Sequence, residues 1–206
     1  MVKTALSPCR PGHGASCALC CGSHNFAAPF EAVDALFARR RDFYRGFSPG
    51  YLAGRAQKSR SAMTGSYHVP KSDPIAGEVL PMIFNDCPRC PYLAYQDDNG
   101  IIGCALREDS SGTIRMDCVR SYSGKQFNCG VHMALDDREV RYAAKLTRDW
   151  YYYSILIHSS PLLREIMRGH SVAEDVPPDV TDILRKKLAR SVLTERGFHE
   201  IHSYFT

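Results

Sequence analysis

Nine cysteines are the residues of this 206-residue chain whose type and spacing are best suited to chemistry. Four lie within the first 21 residues, and five fall between Cys87 and Cys129. Cys17 with Cys20, and Cys87 with Cys90, have two intervening residues, a spacing that lets one turn of backbone present both sulfur atoms to one ion. An odd number of cysteines cannot pair completely as disulfides, so the pattern favours metal ligation.

Seven cysteines form the grouped set that we expect to bind metal: Cys17, Cys20, Cys21, Cys90, Cys104, Cys118 and Cys129. Cys9 and Cys87 are the remaining candidate ligands, and each is equally well explained as a small buried hydrophobic residue. A tetrahedral zinc ion or a four-iron cluster would each use four sulfur ligands, so two sites leave one cysteine over. Zinc and an iron–sulfur cluster both stay open, because sulfur-rich tetrahedral sites suit either.

Two other uses of these thiols are open. His24 could replace one sulfur ligand, although a histidine so placed is more often an outer hydrogen-bond partner. A nucleophilic pair of Cys20 or Cys21 with His24 or His132 is conceivable, but a metal normally claims thiolates in such a setting. The chain lacks the iron–sulfur runs CxxxCxxC and CxxCxxCxxxCP, so a cluster would have to be assembled from distant cysteines. An iron–sulfur redox enzyme or other metalloenzyme is an alternative function, and it would need such a cluster or an open coordination position.

Positive charge is concentrated between Arg39 and Lys71, where eight basic residues stand against one acidic residue. Aromatic side chains are interleaved with them, and such a segment could bind phosphates while its rings stack on bases. A nucleic-acid-associated protein that uses Arg39, Arg40 and Arg41 is therefore an alternative function. The other interpretation is a solvated helix end followed by an irregular loop.

Local patterns predict the elements that would position the cysteines in residues 1–130. Pro29 opens a helix at residues 29–45, with Phe30, Val33 and Phe37 on one face. Residues 46–81 are rich in Gly, Ser and Pro and are predicted to form a basic, irregular loop.

The segment 87–129 is predicted to form a hairpin knuckle. Asn99 and Gly100 separate two apolar runs and both tolerate the positive φ of a tight turn, which indicates a β-hairpin. That hairpin would hold Cys90 and Cys104 at its opposite feet.

Residues 131–206 are predicted to be a helical region. The acidic stretch Asp136–Glu139 favours a helix start, and the apolar stripe behind it continues through His158. A second helix has Ser160 as its cap, and a last helix stops at Gly197.

The cysteine arrangement resembles the zinc- and iron-chelating cysteine-rich family, also called YkgJ-like or CxxCxxCC. The matching pieces are Cys17-x-x-Cys20-Cys21, the run from Cys90 to Cys104, Arg115-Met116-Asp117-Cys118, and Cys129. Seven residues, instead of the family's two, separate Cys9 from Cys17, Met116 replaces the usual proline, and Cys87 is extra. The resemblance implies metal binding and says little about a reaction.

We therefore expect an α+β, helix-dominated protein with a small cysteine-rich, metal-nucleated core and a C-terminal helical region. The N-terminal residues lack the apolar core of a secretory signal, and no apolar run of about 18 residues occurs, so we expect a cytoplasmic protein without a membrane partner. A metal ion, a protein partner or nucleic acid are the partners that this interpretation allows. It also predicts that Cys17, Cys20 and Cys21 lie beside the later cysteines.

Overall fold

The computed structural model of the protein describes residues 6–47, 80–83, 90, 92–105 and 131–193. These residues fall into two compact units. The hairpin unit contains residues 20–47, 80–83, 90, 92–98 and 102–105, and the helical unit contains residues 6–19, 99–101 and 131–193. The fold is α+β and dominated by helices, as the sequence predicts.

Helix α1 of the hairpin unit spans Phe30–Arg45, which agrees with the predicted helix. Val33 and Phe37 are buried, and the ring of Phe37 meets Tyr95 edge-on with 6.3 Å between centroids. Phe30, at the start of the predicted apolar face, is 39% exposed, so the burial of that face begins at Val33.

Strands β1 (Leu93–Tyr95) and β2 (Ile102–Cys104) form the predicted antiparallel hairpin. Leu93 lies opposite Cys104, so Cys104 ends β2 at the foot of the hairpin. The side chains of β1 are buried and pack against α1.

The hairpin connection differs from the predicted tight turn. Residues 96–101 join the strands, and of Asn99 and Gly100 only Gly100 has a positive φ, +80°. The longer loop is held by Asp98, whose carboxylate lies 2.8 Å from Arg41 and 3.1 Å from Arg45 on α1. These ion pairs connect the six-residue loop to α1, in place of the two-residue turn predicted at Asn99 and Gly100.

The helical unit contains α2 (Val131–Ala134), α3 (Asp137–Thr147), α4 (Tyr151–Ile157), α5 (Ser160–Gly169) and α6 (Pro178–Leu193), with a 3-10 turn at Ala173–Asp175. Its core is built from apolar side chains of α3 to α6: Val140, Ala143, Ala144, Tyr153, Ile155, Leu156, Leu163 and Leu188. The predicted end of the last helix at Gly197 lies outside the described residues. No helix in the described ranges is long and apolar enough to cross a membrane.

Helix α3 begins at the acidic stretch that predicted a helix start. Asp136 accepts a hydrogen bond from the backbone N–H of Glu139 at 2.8 Å, and the Glu139 carboxylate accepts one from the Asp136 N–H at 2.9 Å. This reciprocal capping box satisfies two backbone donors that a helix start leaves unpaired.

The continuous helix predicted through His158 is interrupted after Thr147. Arg148 adopts a left-handed conformation with φ +55°, and the Asp149 carboxylate accepts a hydrogen bond from Tyr152 N–H at 2.7 Å. The left-handed Arg148 therefore ends one helical run, and the side chain of Asp149 accepts a hydrogen bond at the start of the next. The start of α5 also differs by one residue, since Ser160 is its first residue and Ser159 is the cap.

Candidate metal centre

The structure describes the side chains of Cys9, Cys17, Cys21, Cys90 and Cys104, and all five are thiols. Cys20 lies in the 3-10 turn Leu19–Cys21. The other predicted ligands, Cys87, Cys118 and Cys129, lie outside the described residues, as does most of the basic loop.

In the hairpin unit, backbone hydrogen bonds bring together cysteines that are far apart in sequence. The N–H of Cys90 donates to the carbonyl oxygen of Cys21 at 2.9 Å, and the N–H of Leu93 donates to Cys90 at 3.2 Å. Leu93 lies opposite Cys104 in the hairpin, so the backbone segments that carry Cys21, Cys90 and Cys104 are neighbours. For Cys21 and Cys90 this is the adjacency that the sequence predicts.

The side chain of Arg40, on α1, hydrogen-bonds to the segment that carries Cys90. Its side chain is fully buried, and Nη1 donates to the carbonyl oxygens of Cys90 at 3.4 Å and Leu93 at 3.2 Å. The guanidinium also lies 5.9 Å from the centroid of the Phe37 ring. A buried cation is stabilised by nearby negative charge, and metal-binding cysteines are thiolates, so the position suits a thiolate site.

Cys21, Cys90 and Cys104 in the hairpin unit are partly buried. Cys90 and Cys104 pack against the apolar cluster of Tyr44, Tyr92 and Ala94. Such an apolar surround limits the access of solvent to a site and lowers the local dielectric.

His24, the possible replacement ligand, is 2% exposed. Its Nδ1 lies 2.8 Å from the Ser23 hydroxyl. Any ligation by His24 would therefore use Nε2.

In the helical unit, a tight turn brings Cys9 next to Cys17. The N–H of Ala15 donates to Gly12 at 3.0 Å across a turn whose central residues, His13 and Gly14, have φ of +56° and +75°. The N–H of Cys17 then donates to the carbonyl oxygen of Cys9 at 3.1 Å. The two cysteines and the seven residues between them thus form a small hairpin loop, residues 9–17, called the cysteine loop below.

Helices α3 and α4 hold the cysteine loop and the residues before it. Asp137 accepts a hydrogen bond from Leu6 N–H at 3.0 Å, and the Tyr153 hydroxyl donates to the Pro8 carbonyl at 2.9 Å. Ala15 and Ser16 are buried. Packing on the helices accounts for order in a segment whose composition cannot build a core.

Sequence reasoning missed His158. This residue follows α4, is 4% exposed, and its Nε2 lies 3.8 Å from the sulfur of Cys17. In the sequence, His158 ends the apolar run Tyr151–Ile157, and this position alone does not distinguish it from a core residue.

No three His, Cys, Asp or Glu side chains within the described ranges are grouped so that they could hold a metal ion together. A four-ligand set of the kind expected from the sequence would therefore need residues that those ranges do not cover.

The candidate nucleic-acid residues are not one exposed surface. Arg39 is exposed, whereas Arg40 is fully buried, so the prediction that Arg40 contacts nucleic acid is wrong. Arg41 lies 2.9 Å from Asp42 and 2.8 Å from Asp98. Helical periodicity explains the difference, because position 40 shares the buried face with Phe37 and Tyr44.

Comparison with protein-family models, with curated proteins and with solved structures found no match to this chain.

Proposed function

We propose that this protein binds zinc or an iron–sulfur cluster through its clustered cysteines, as the resemblance to the zinc- and iron-chelating cysteine-rich family suggests. The observation that carries the proposal is the hydrogen bond from Cys90 N–H to the Cys21 carbonyl. It brings Cys21, the last residue of the CxxCC group, beside Cys90 in the segment that leads into the central hairpin, whose second strand ends at Cys104. A shared sulfur site needs cysteines from distant parts of the sequence on neighbouring backbone segments, and Cys21 and Cys90 meet this condition.

The chemistry of the surrounding residues supports the same proposal. Partly buried thiols, an apolar cluster beside them and a buried guanidinium on their backbone together favour a closed, sulfur-ligated centre. A closed centre of this kind contributes folding free energy. We place the protein in the cytoplasm, because a reducing compartment keeps such thiols available for metal.

Elemental analysis and a visible absorption spectrum of anaerobically purified protein test the proposal together. We expect zinc or iron bound in a fixed ratio to protein. Brown colour with broad visible absorption would identify an iron–sulfur cluster, which, unlike zinc, can carry electrons. Protein that folds with neither metal bound would refute the proposal.

A matched pair of substitutions tests the cysteine contribution. Cys104→Ser is expected to lose metal and soluble protein together. Ala105→Ser places the same hydroxyl on the adjacent residue, which packs on the same apolar cluster, and should retain the metal. Unchanged metal content in Cys104→Ser would exclude Cys104 as a ligand.

A further inference from the structure

We propose that the solvent-facing side of α3 binds the phosphate backbone of double-stranded nucleic acid. Four basic residues on α3 and its C-terminal cap form this surface, called the basic row below: Arg138, Arg141, Lys145 and Arg148. The proposal goes beyond metal binding and does not depend on it. It also concerns a different surface from Arg39–Arg41, where Arg40 is buried and Arg41 is paired with two carboxylates.

The members of the basic row lie on one side of the helix. Arg138, Arg141 and Lys145 are three and four residues apart, which places them on the same face. Arg138 and Arg141 are exposed, and the Lys145 side chain is 40% exposed. The Nε of Arg148 donates to the Lys145 carbonyl at 3.1 Å, which places the fourth basic side chain at the C-terminal end of the row.

The acidic residues in the first turn of α3 do not neutralise the row. Asp137 accepts a backbone N–H from the N-terminal segment at 3.0 Å, and Glu139 lies 2.6 Å from Arg164 on α5. Among the described residues, Arg138 and Arg141 have no ion-pair partner. Half of the basic row therefore faces solvent with its charge uncompensated.

The other half of the row faces one carboxylate. Glu174, in the 3-10 turn, lies 3.0 Å from Lys145 Nζ. The hydrogen bond from Lys145 lowers the pKa of Glu174, and the charge of Arg148 acts in the same direction. Because like charges three or four residues apart repel each other along a helix, a bound polyanion would relieve a repulsion that Glu174 offsets at one end only.

The surroundings of the row indicate the class of partner. The apolar residues of α3 are all turned into the protein: Val140, Tyr142, Ala143, Ala144 and Leu146. Protein interfaces usually have an apolar, aromatic-rich centre, and a membrane-surface helix needs an exposed apolar face. A phosphate backbone requires only positive charge and N–H donors, which arginine supplies in bidentate form.

Double-stranded nucleic acid fits this face better than a single strand. Proteins that hold single strands stack the bases on exposed aromatic rings, whereas Tyr142, the one aromatic residue of α3, is buried. At 1.5 Å per residue, the row extends about 10 Å from Arg138 to Lys145, and the phosphates of one duplex strand rise about 3.4 Å apart. The row therefore spans about three phosphates, and contacts of this kind carry no base specificity.

The salt dependence of duplex binding by the full chain tests the proposal. Fluorescence anisotropy with a labelled duplex should give an affinity that falls linearly with salt on a double-logarithmic plot. The double variant Arg138→Gln with Arg141→Gln should reduce the slope by about 1.8, since each phosphate contact contributes about 0.9. Its affinity at low salt should fall by at least about tenfold.

Two further double variants serve as controls. Arg168→Gln with Lys186→Gln removes the same charge from exposed positions of α5 and α6 in the same unit, and should leave the slope unchanged. Arg138→Lys with Arg141→Lys retains the charge of the row and should retain most of the slope. Circular dichroism of each variant verifies that the helices are intact.

The opposing outcomes are distinct. Absence of duplex binding at low salt, or an equal loss of slope in the Arg168 and Lys186 control, would overturn the proposal. Binding of polyglutamate or of phosphatidylserine vesicles that depends on Arg138 and Arg141, without such dependence for the duplex, would assign the row to another class of partner. None of these results bears on metal content, so the proposed function stands or falls separately.

Discussion

The N–H of Cys90 donates to the carbonyl oxygen of Cys21 at 2.9 Å, although about 70 residues of chain separate them. The bond links the turn Leu19–Cys21 to the segment that leads into β1. The carbonyl of Cys90 in turn accepts from Arg40 on α1. Helix, turn and hairpin are thus joined at one cysteine.

Arg40→Met should destabilise the hairpin unit. It removes the donor to two carbonyl oxygens, and a lost buried hydrogen-bond partner costs about 1–3 kcal/mol. Urea unfolding of the protein as purified would measure the change. Arg39→Met, on the exposed side of α1, is the control and should stay within about 0.5 kcal/mol of wild type. Equal effects of the two substitutions would show that the buried guanidinium does not support the hairpin.

Gly14→Ala should destabilise the cysteine loop more than Gly12→Ala. Both glycines have positive φ, at +75° and +87°, and a side chain in that conformation costs about 1–2 kcal/mol. A Cβ at Gly14 would also lie 3.3 Å from the carbonyl oxygen of Arg148, whereas a Cβ at Gly12 meets nothing within 4 Å. Thermal unfolding of both variants gives the difference. If Gly12→Ala were the more damaging variant, the close approach to Arg148 would not matter.

Asp149→Asn should remove a pH dependence of stability. Burial raises the pKa of Asp149 from 3.8 to about 6, against the opposing effect of its hydrogen bonds and Arg185. The folded state therefore holds a proton that the unfolded state releases, so this residue's contribution to stability falls as the pH rises from about 4 to about 6. At about 1.4 kcal/mol per pKa unit, the loss is at most about 3 kcal/mol.

Urea unfolding at several pH values checks this prediction. The stability difference between Asp149→Asn and wild type should grow in favour of the variant up to pH 7, because the asparagine oxygen can still accept from Tyr152. Asp179→Asn, on the exposed start of α6, serves as the control. A difference that is constant with pH would contradict the raised pKa of Asp149.

Tyr153→Phe should loosen the segment before the cysteine loop. The variant loses the hydrogen bond from the hydroxyl to the Pro8 carbonyl at 2.9 Å, which is worth about 1 kcal/mol. Amide hydrogen exchange should rise in residues 6–17 and stay unchanged in α1. Tyr142→Phe removes a comparable hydroxyl contact, to the His170 carbonyl at 2.7 Å, and should leave residues 6–17 protected.

The sequence predicted those helix starts and helix lengths that depend on residues within one turn of chain. The acidic start of α3 and the extent of α1 follow from capping and periodicity within one turn of chain. The break after Thr147 could not be predicted in this way, because Tyr151 and Ser154 continue the same 3.6-residue spacing across it. The left-handed Arg148 and the side chain of Asp149 decide where the chain turns.

In the candidate site, too, local spacing predicted some residues and missed those whose role depends on distant contacts. Spacing alone selected Cys17, Cys21 and Cys90. The contact between Cys17 and His158 spans 141 residues, and no local pattern marks a histidine at the end of an apolar helix as different from a core residue. Burial of Arg40 was missed because a run of three arginines suggests a charged surface, whereas helix geometry turns the middle one inward.

The four-residue interval between Ser154 and His158 sets the register of the cysteine loop on α4. Each residue of an α-helix advances about 100° around the axis. One residue inserted between these two positions would leave the Ser154 hydroxyl 3.5 Å from the Ser16 carbonyl oxygen and carry the imidazole about 100° away from Cys17. The length of this short stretch, as much as the identity of its histidine, therefore determines whether sulfur and nitrogen can meet.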